Sequence, residues 1–209
     1  MSVICPTITA FDPHEYRAQI EQVEGFAKRI HIDLMDGDFA PSVSPELSAV
    51  WWPDKLIADI HLMYRHPEAQ IEELQKLKPN LVVVHYESDT NHARFVEALH
   101  ESGIKAGLAI LQETSVEEAL ETIKIYDHVL VFSGNLGYHG GEVNLKLIGK
   151  VASIKQALPK IEIAWDGGIN AENARELSQA GVDVLNVGGF IQKAHDPAKA
   201  YAQIESSLK

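Results

Sequence analysis

Two aspartates and two histidines stand where strand-like runs of this chain end, and they are residue types that hold a cation and move protons. They lie in His31-Ile32-Asp33-Leu34-Met35-Asp36-Gly37, Asp59-Ile60-His61-Leu62-Met63 and Ile163-Ala164-Trp165-Asp166-Gly167-Gly168. Side chains two apart on a strand share a face, so His31 and Asp33 point the same way. Neutral imidazole and carboxylate are both competent ligands near neutral pH. Two of each, converging from separate strands, would make a site for one divalent cation. Taken alone, His31 and Asp33 fit a buried ion pair equally well, and Asp166 before two glycines fits a turn former. The four together favour the cation. Two acids in one small mouth should raise each other's pKa. An unpaired buried charge costs about 3–5 kcal/mol, which a divalent ion relieves for both. Mixed nitrogen and oxygen donors admit zinc, iron(II), manganese or cobalt.

Such a cation between carboxylates suits proton abstraction beside a carbonyl. Inverting a carbon centre requires removing a proton from one face and delivering one to the other. Asp33 and Asp166 could do this, exchanging roles with direction. General acid–base help is worth roughly 10²–10⁴-fold, so stabilising the enediolate charge is expected to contribute more. Gly140-Gly141, Gly167-Gly168 and Gly188-Gly189 could bring backbone N–H groups close to a phosphate; tight turns are the simpler alternative. Met35 and Met63 each lie two residues beyond a proposed ligand. They could line the pocket without offering a base, although core filling is at least as good a reading. His85 and Glu87 share a face and could orient a ligand, but a satisfied structural histidine is the simpler expectation. His92, His100 and His195 read as surface residues.

Positioning these groups requires strands that end together. Largely apolar runs at Val3–Thr9, Ile30–Met35, Leu56–Met63, Leu81–Tyr86, Lys105–Leu111, His128–Ser133, Ile161–Trp165 and Val182–Val187 read as strands covered on both faces, hence parallel. Amphipathic helices alternate with them. Asp12-Pro13 and Asp196-Pro197 supply caps with a first-turn proline, Ser115 with Glu118 forms a capping box, Asn170 caps the run from Ala171, and Gly103 and Gly181 close helices. Eight strands, each followed by a helix, predict an α/β fold: a (β/α)8 TIM barrel with eight parallel strands, as one domain over residues 1–209. The competing open doubly wound sheet would carry a glycine-rich first turn, and Thr9-Ala10-Phe11-Asp12-Pro13 has none. Barrel sites lie at the C-terminal ends of the strands, where Asp33, His61, His85, Ser133 and Asp166 fall.

Composition narrows the partners. The 209 residues carry a formal net charge of −12 with scattered lysines and arginines, which disfavours nucleic acid and acidic membranes. No apolar run approaches a membrane span. The start, Met1 to Pro6, lacks the basic stretch and apolar core of a signal peptide. Cys5 is the sole cysteine, compatible with a reducing, cytoplasmic setting. A small acidic barrel of this kind is expected to bury helix faces in a homo-oligomer.

At these residues the chain resembles the ribulose-phosphate 3-epimerase family, over nearly its whole length. The resemblance runs through Pro6-Thr7-Ile8, His31 to Gly37, Asp59 to Met63, Val84-His85-Tyr86-Glu87, Asn135 to Gly141, Asp166-Gly167-Gly168-Ile169 and Gly188-Gly189. The His-x-Asp-x-Met-Asp-Gly and His-Leu-Met pieces together are specific; the glycine pieces alone are not. It implies an isomerase with a (β/α)8 barrel and one bound divalent metal, interconverting D-ribulose 5-phosphate and D-xylulose 5-phosphate in the pentose phosphate pathway. Carried over by position, the ligands are His31, Asp33, His61 and Asp166, and the acid/base pair is Asp33 and Asp166. Thr7, Met35, Met63, His61, Gly137, Gly140, Gly141, Gly167, Gly168, Gly188 and Gly189 are the positions expected to meet the sugar phosphate.

Departures from the family pattern cluster at the substrate. Phe132 stands for a third pocket methionine, Leu136 for a proline, Gly189 for a phosphate-binding serine, Leu111-Gln112 for Asn-Pro and Ser42 for asparagine. His139 looks inserted, and Trp165 is bulky for its place. These keep open an epimerase of a longer ketose phosphate, such as allulose 6-phosphate, and a non-catalytic sugar-phosphate-binding barrel. A barrel hydrolase would be expected to bring a His-x-His pair, and the chain has none.

Overall fold

A computed structural model describes residues 2–138 and 140–209; the inserted-looking His139 lies outside the described residues. Among the described residues, eight strands pair in parallel and in sequence order, β8 closing on β1. They are β1 (Val3–Thr9), β2 (Arg29–Met35), β3 (Ile57–Met63), β4 (Leu81–His85), β5 (Lys105–Ile110), β6 (His128–Phe132), β7 (Glu162–Asp166) and β8 (Val184–Val187). This is the (β/α)8 barrel, and each strand boundary falls within two residues of the sequence expectation.

The helices are α1 (Pro13–Val23), α2 (Ile71–Leu77), α3 (His92–Glu101), α4 (Val116–Ile123), α5 (Ile148–Ala157), α6 (Ala174–Gln179), α7 (Gly189–Gln192) and α8 (Pro197–Ser207). Asp12, Ser115 and Asp196 cap as expected, each accepting backbone N–H bonds at a helix start. Asn170 accepts from Glu172 and Asn173, one turn before α6 begins. The expectation that every strand is followed by a helix fails once. Between β2 and β3 the described chain makes only a 3₁₀ turn, Leu47–Ala49. The segment is tied down by side chains instead. Asp36 accepts N–H bonds from Asp38, Phe39 and Arg65, and Ser44 bonds Met35 N–H. Asp36 of the His-x-Asp-x-Met-Asp-Gly run is thus a loop organiser.

Alternation along the strands sorts the barrel interior into levels. At the N-terminal end Arg29 bonds Asp59 at 2.6 Å and Glu162 at 3.0 and 2.9 Å. His128 and Asn80 complete that network. Above it lies an apolar plug of Cys5, Leu81, Val83, Ala109, Leu130, Ala164 and Val184. Gly107 is required there, since a Cβ would sit 2.9 Å from the Val83 side chain. Asp59, two residues before His61 on the same strand face, therefore belongs to the opposite end of the barrel. Trp165 is fully buried in the outer layer, between sheet and helices, so its bulk does not intrude on the mouth.

Candidate active site

Above the plug, β2, β3 and β7 bring His31, Asp33, His61 and Asp166 together, one ligand atom of each within 4.8 Å of all the others. Strand register does this: Asp33 pairs with His61 across β2 and β3, and Phe132 and Asn186 flank Asp166. His31 Nε2 lies 3.4 Å from both Asp33 Oδ1 and Asp166 Oδ2. His61 Nδ1 lies 3.0 Å from Asp33 Oδ1. The remaining Asp33 oxygen accepts from Thr9 Oγ1 at 2.7 Å, and Gln19 holds the Thr9 backbone through both its amide groups. On the far side of His31, the Asn186 carboxamide stands 3.2 Å from Nδ1.

The two acids differ in how readily they ionise. Burial pushes Asp166 up, and the neighbouring Asp33 charge adds to this, reaching about 7. Burial also opposes ionisation of Asp33, but hydrogen bonds from His31 and His61 outweigh it and hold that carboxyl well below the usual range. The expected mutual elevation is therefore met by Asp166 alone, because both imidazoles lean on Asp33. Burial, aided by His85, lowers His61 to about 3 despite Asp33. Burial disfavours charge on His31 too, yet Asp33 and Asp166 raise it. The two carboxyls are thus pushed in opposite directions, the division that acid–base chemistry needs.

The donor set fits a divalent cation. Among the described residues, buried His31 Nε2 has no hydrogen-bond partner and is aimed between two carboxylates, and two imidazole nitrogens with two carboxylate oxygens suit a borderline ion.

The site opens into a cavity of about 330 Å³. Of the residues expected to meet substrate, Thr7, Met35, Met63, Gly137, Gly140, Gly141, Gly167, Gly168, Gly188 and Gly189 all line it. His61 is not among the lining residues: it is fully buried, 3.0 Å from Asp33 Oδ1. Gly167 and Gly168 have a second job. Both have positive φ, and a Cβ on either would fall 2.1 Å from the backbone of the loop after β6. They let the loops after β6 and β7 touch.

Several residues of the site are not evident from sequence spacing. Thr9, Asn186 and Lys193 are cavity-lining, and Phe132 packs its ring against His61 and His85. His85 is not an isolated core histidine; its Nε2 lies 2.9 Å from His61 Nε2. His92 is not a plain surface residue either, since it is half-buried and bonds Tyr126 at 2.6 Å. His100 pairs with Asp127 at 2.7 Å on the exposed surface.

Fold and site together define the class: a (β/α)8 barrel with a carboxylate–imidazole cluster at its C-terminal mouth. The model of the ribulose-phosphate 3 epimerase family matches residues 3–192, and the chain belongs to that family, whose members are isomerases acting on sugar phosphates. It is 31% identical to the ribulose-phosphate 3-epimerase of Aquifex aeolicus, covering 94% of this chain and 92% of that protein. Its identity to the ribulose-phosphate 3-epimerase of Bacillus subtilis is 29%, covering 99% and 100%. Among solved structures it superposes on a 3-hexulose-6-phosphate synthase with a TM-score of 0.76 at 18% identity, covering 99% of this chain and all of that one; this likeness is one of fold. No helix among the described residues is long and apolar enough to cross a membrane.

Proposed function

We propose that this chain is a metal-dependent 3-epimerase interconverting D-ribulose 5-phosphate and D-xylulose 5-phosphate, working as one barrel domain. The observation that carries this is the pairing of Asp33 and Asp166. Two carboxylates whose affinities for a proton are pushed apart stand within reach of each other at the mouth of a pocket that Met35, Met63 and Phe132 help to line. One carboxylate takes the C3 proton while the C–H electrons move into the C2–C3 bond and charge passes to the carbonyl oxygen. The other delivers its proton to the opposite face of C3, and the electrons return. The two acids end with their protonation exchanged, ready for the reverse direction. Met35, Met63 and Phe132 offer the enediolate no competing acid or base.

His31, Asp33, His61 and Asp166 would hold one divalent ion, with zinc, iron(II), manganese and cobalt all compatible with the donors. When bound, such an ion supplies positive charge against the negative charge that develops on the substrate oxygens. Removing it with a chelator should therefore abolish turnover.

The phosphate end of the pocket is assigned to Gly167-Gly168 after β7 and Gly188-Gly189 after β8, the usual place in this fold. Lys193 supports that assignment. Its Nζ reaches to 4.0 Å from the Cβ position of Gly140 over the same cavity, so it can neutralise a phosphate where Gly189 lacks a hydroxyl. Lys193→Ala is expected to raise KM about tenfold, a charge-assisted bond discounted for exposure, with kcat changed much less. Steady-state kinetics at two ionic strengths checks this.

We read the protein as a cytoplasmic homo-oligomer, consistent with its buried lone thiol Cys5 and with helix faces available for association. The deciding experiment is incubation with D-ribulose 5-phosphate in deuterated water. Deuterium should appear at C3 together with D-xylulose 5-phosphate. Exchange confined to allulose 6-phosphate would shift the substrate to the longer ketose, which the altered loop around Leu136 and Gly137 could admit. Binding without exchange of any ketose phosphate would leave a sugar-phosphate-binding barrel.

A further inference from the structure

We propose that Glu87 and His85 are positioning residues that set which ring nitrogen of His61 carries a proton, and thereby govern how tightly the site holds its cation; this rests on reading His61 as a ligand. The geometry begins at Asp33. His61 turns Nδ1 toward Asp33 and the ligand cluster, at 3.0 Å, and Nε2 toward His85 Nε2, at 2.9 Å. Two imidazole nitrogens at that distance share one proton. If Nδ1 is to offer its lone pair to a cation, the His61 proton must sit on Nε2 and be donated to His85. The His85 proton must then sit on Nδ1.

That nitrogen faces Glu87 Oε2 at 3.5 Å, and neither buried atom has a hydrogen-bond partner among the described residues. Each answers the other's need: a ring N–H without an acceptor and a carboxylate oxygen without a donor. Buried polar atoms left unpaired are uncommon, and a small movement of either side chain closes this pair.

Glu87 is held from outside the barrel. Its Oε1 accepts from Leu111 N–H at 3.0 Å and from the Thr114 hydroxyl. Those two residues belong to the segment after β5, whose carbonyls at Leu111, Gln112 and Thr114 are all bonded by Lys150 Nζ, at 2.6, 2.9 and 2.7 Å. A helix α5 lysine thus fixes a loop, the loop fixes a carboxylate, and the carboxylate fixes His85. Phe39 and Phe132 pack against the His85 ring, with centroids 4.8 and 5.7 Å away, and exclude water. A carboxylate–imidazole chain behind a ligating imidazole orients it and raises its basicity.

Two measurements test this. Nitrogen-15 histidine spectra of Zn²⁺-loaded wild type should show His61 protonated at Nε2 and His85 at Nδ1, whereas without metal the His61 proton sits on Nδ1 and is donated to Asp33. Titration with Co²⁺ alone, read by its visible absorption, should give Glu87→Gln a dissociation constant about 10- to 100-fold weaker than wild type. Thr114→Val, which removes only the hydroxyl that donates to Glu87, should weaken it in the same direction by less. A His85 protonated at Nε2 in Zn²⁺-loaded wild type, or a folded Glu87→Gln that binds Co²⁺ as tightly as wild type, overturns the relay. Wild type that binds neither Co²⁺ nor Zn²⁺ overturns the ligand reading and the relay with it. Should Glu87→Gln fail to fold, the wild-type tautomers decide alone.

Discussion

Asp166→Asn should lose epimerisation by on the order of 10⁴-fold, at the upper end of what a positioned acid–base group contributes, and should lose deuterium exchange unequally from the two epimers. Asparagine keeps an oxygen at the same place and so keeps a donor for the cation. It cannot carry the proton that Asp166, pushed up to about 7 by burial and Asp33, holds in the metal-free protein. The epimer whose C3 proton faces Asp33 still meets an intact base. It should exchange with solvent measurably faster than it epimerises. The other epimer should do neither. Asp33→Asn should show the mirror-image pattern on a weaker background, because Asp33 also anchors both imidazoles and accepts from Thr9. Mass spectrometry of each recovered ketose phosphate separates exchange from inversion. Wild-type exchange rates in both purified variants would rule out two-aspartate proton transfer.

Cation removal is the second large effect, and its pH dependence has a definite sign. Stripping the ion is expected to lower turnover by more than any single pocket substitution, since an ion would meet the charge that develops on the enediolate oxygens. Protons compete with the ion for the same atoms. Asp166, shifted up to about 7, must lose a proton to ligate, and His31, also raised, must be neutral. Affinity for Zn²⁺ or Co²⁺ should therefore fall as pH drops from about 8 to 5, by about tenfold per unit once Asp166 is protonated. Stability follows the same linkage. In the metal-free protein the folded Asp166 holds its proton above its unfolded value of 3.8. Its contribution is thus most favourable below that value and is lost as pH rises through about 7. A bound cation pairs with the ionised carboxylate and removes the penalty. The gain in Tm on adding metal should widen between pH 5 and 8, measured by calorimetry with and without chelator. A gain that shrank with rising pH would contradict the assignment of Asp166 as a ligand.

The order of strands and helices was legible because short continuous apolar runs and period-3.6 apolar patterns are local, and they place the C-terminal ends of β2, β3 and β7 without reference to anything distant. Alternation also put His31, Asp33, Met35, His61 and Met63 on interior faces. The missing helix between β2 and β3 was not legible, because side-chain bonds by Asp36 and Ser44 replace it and leave no periodic signal.

The residue types alone determined that this chain could gather two imidazoles and two carboxylates at a strand-end mouth, since sequence sets which atoms are available and which face each occupies. Tertiary structure alone decided their meeting distances, the burial of His61, the opposite shifts of the two aspartates and the contact of His61 with His85. Those depend on register between neighbouring strands and on desolvation. Both are sums over contacts between residues far apart in the chain, and no window of sequence contains them.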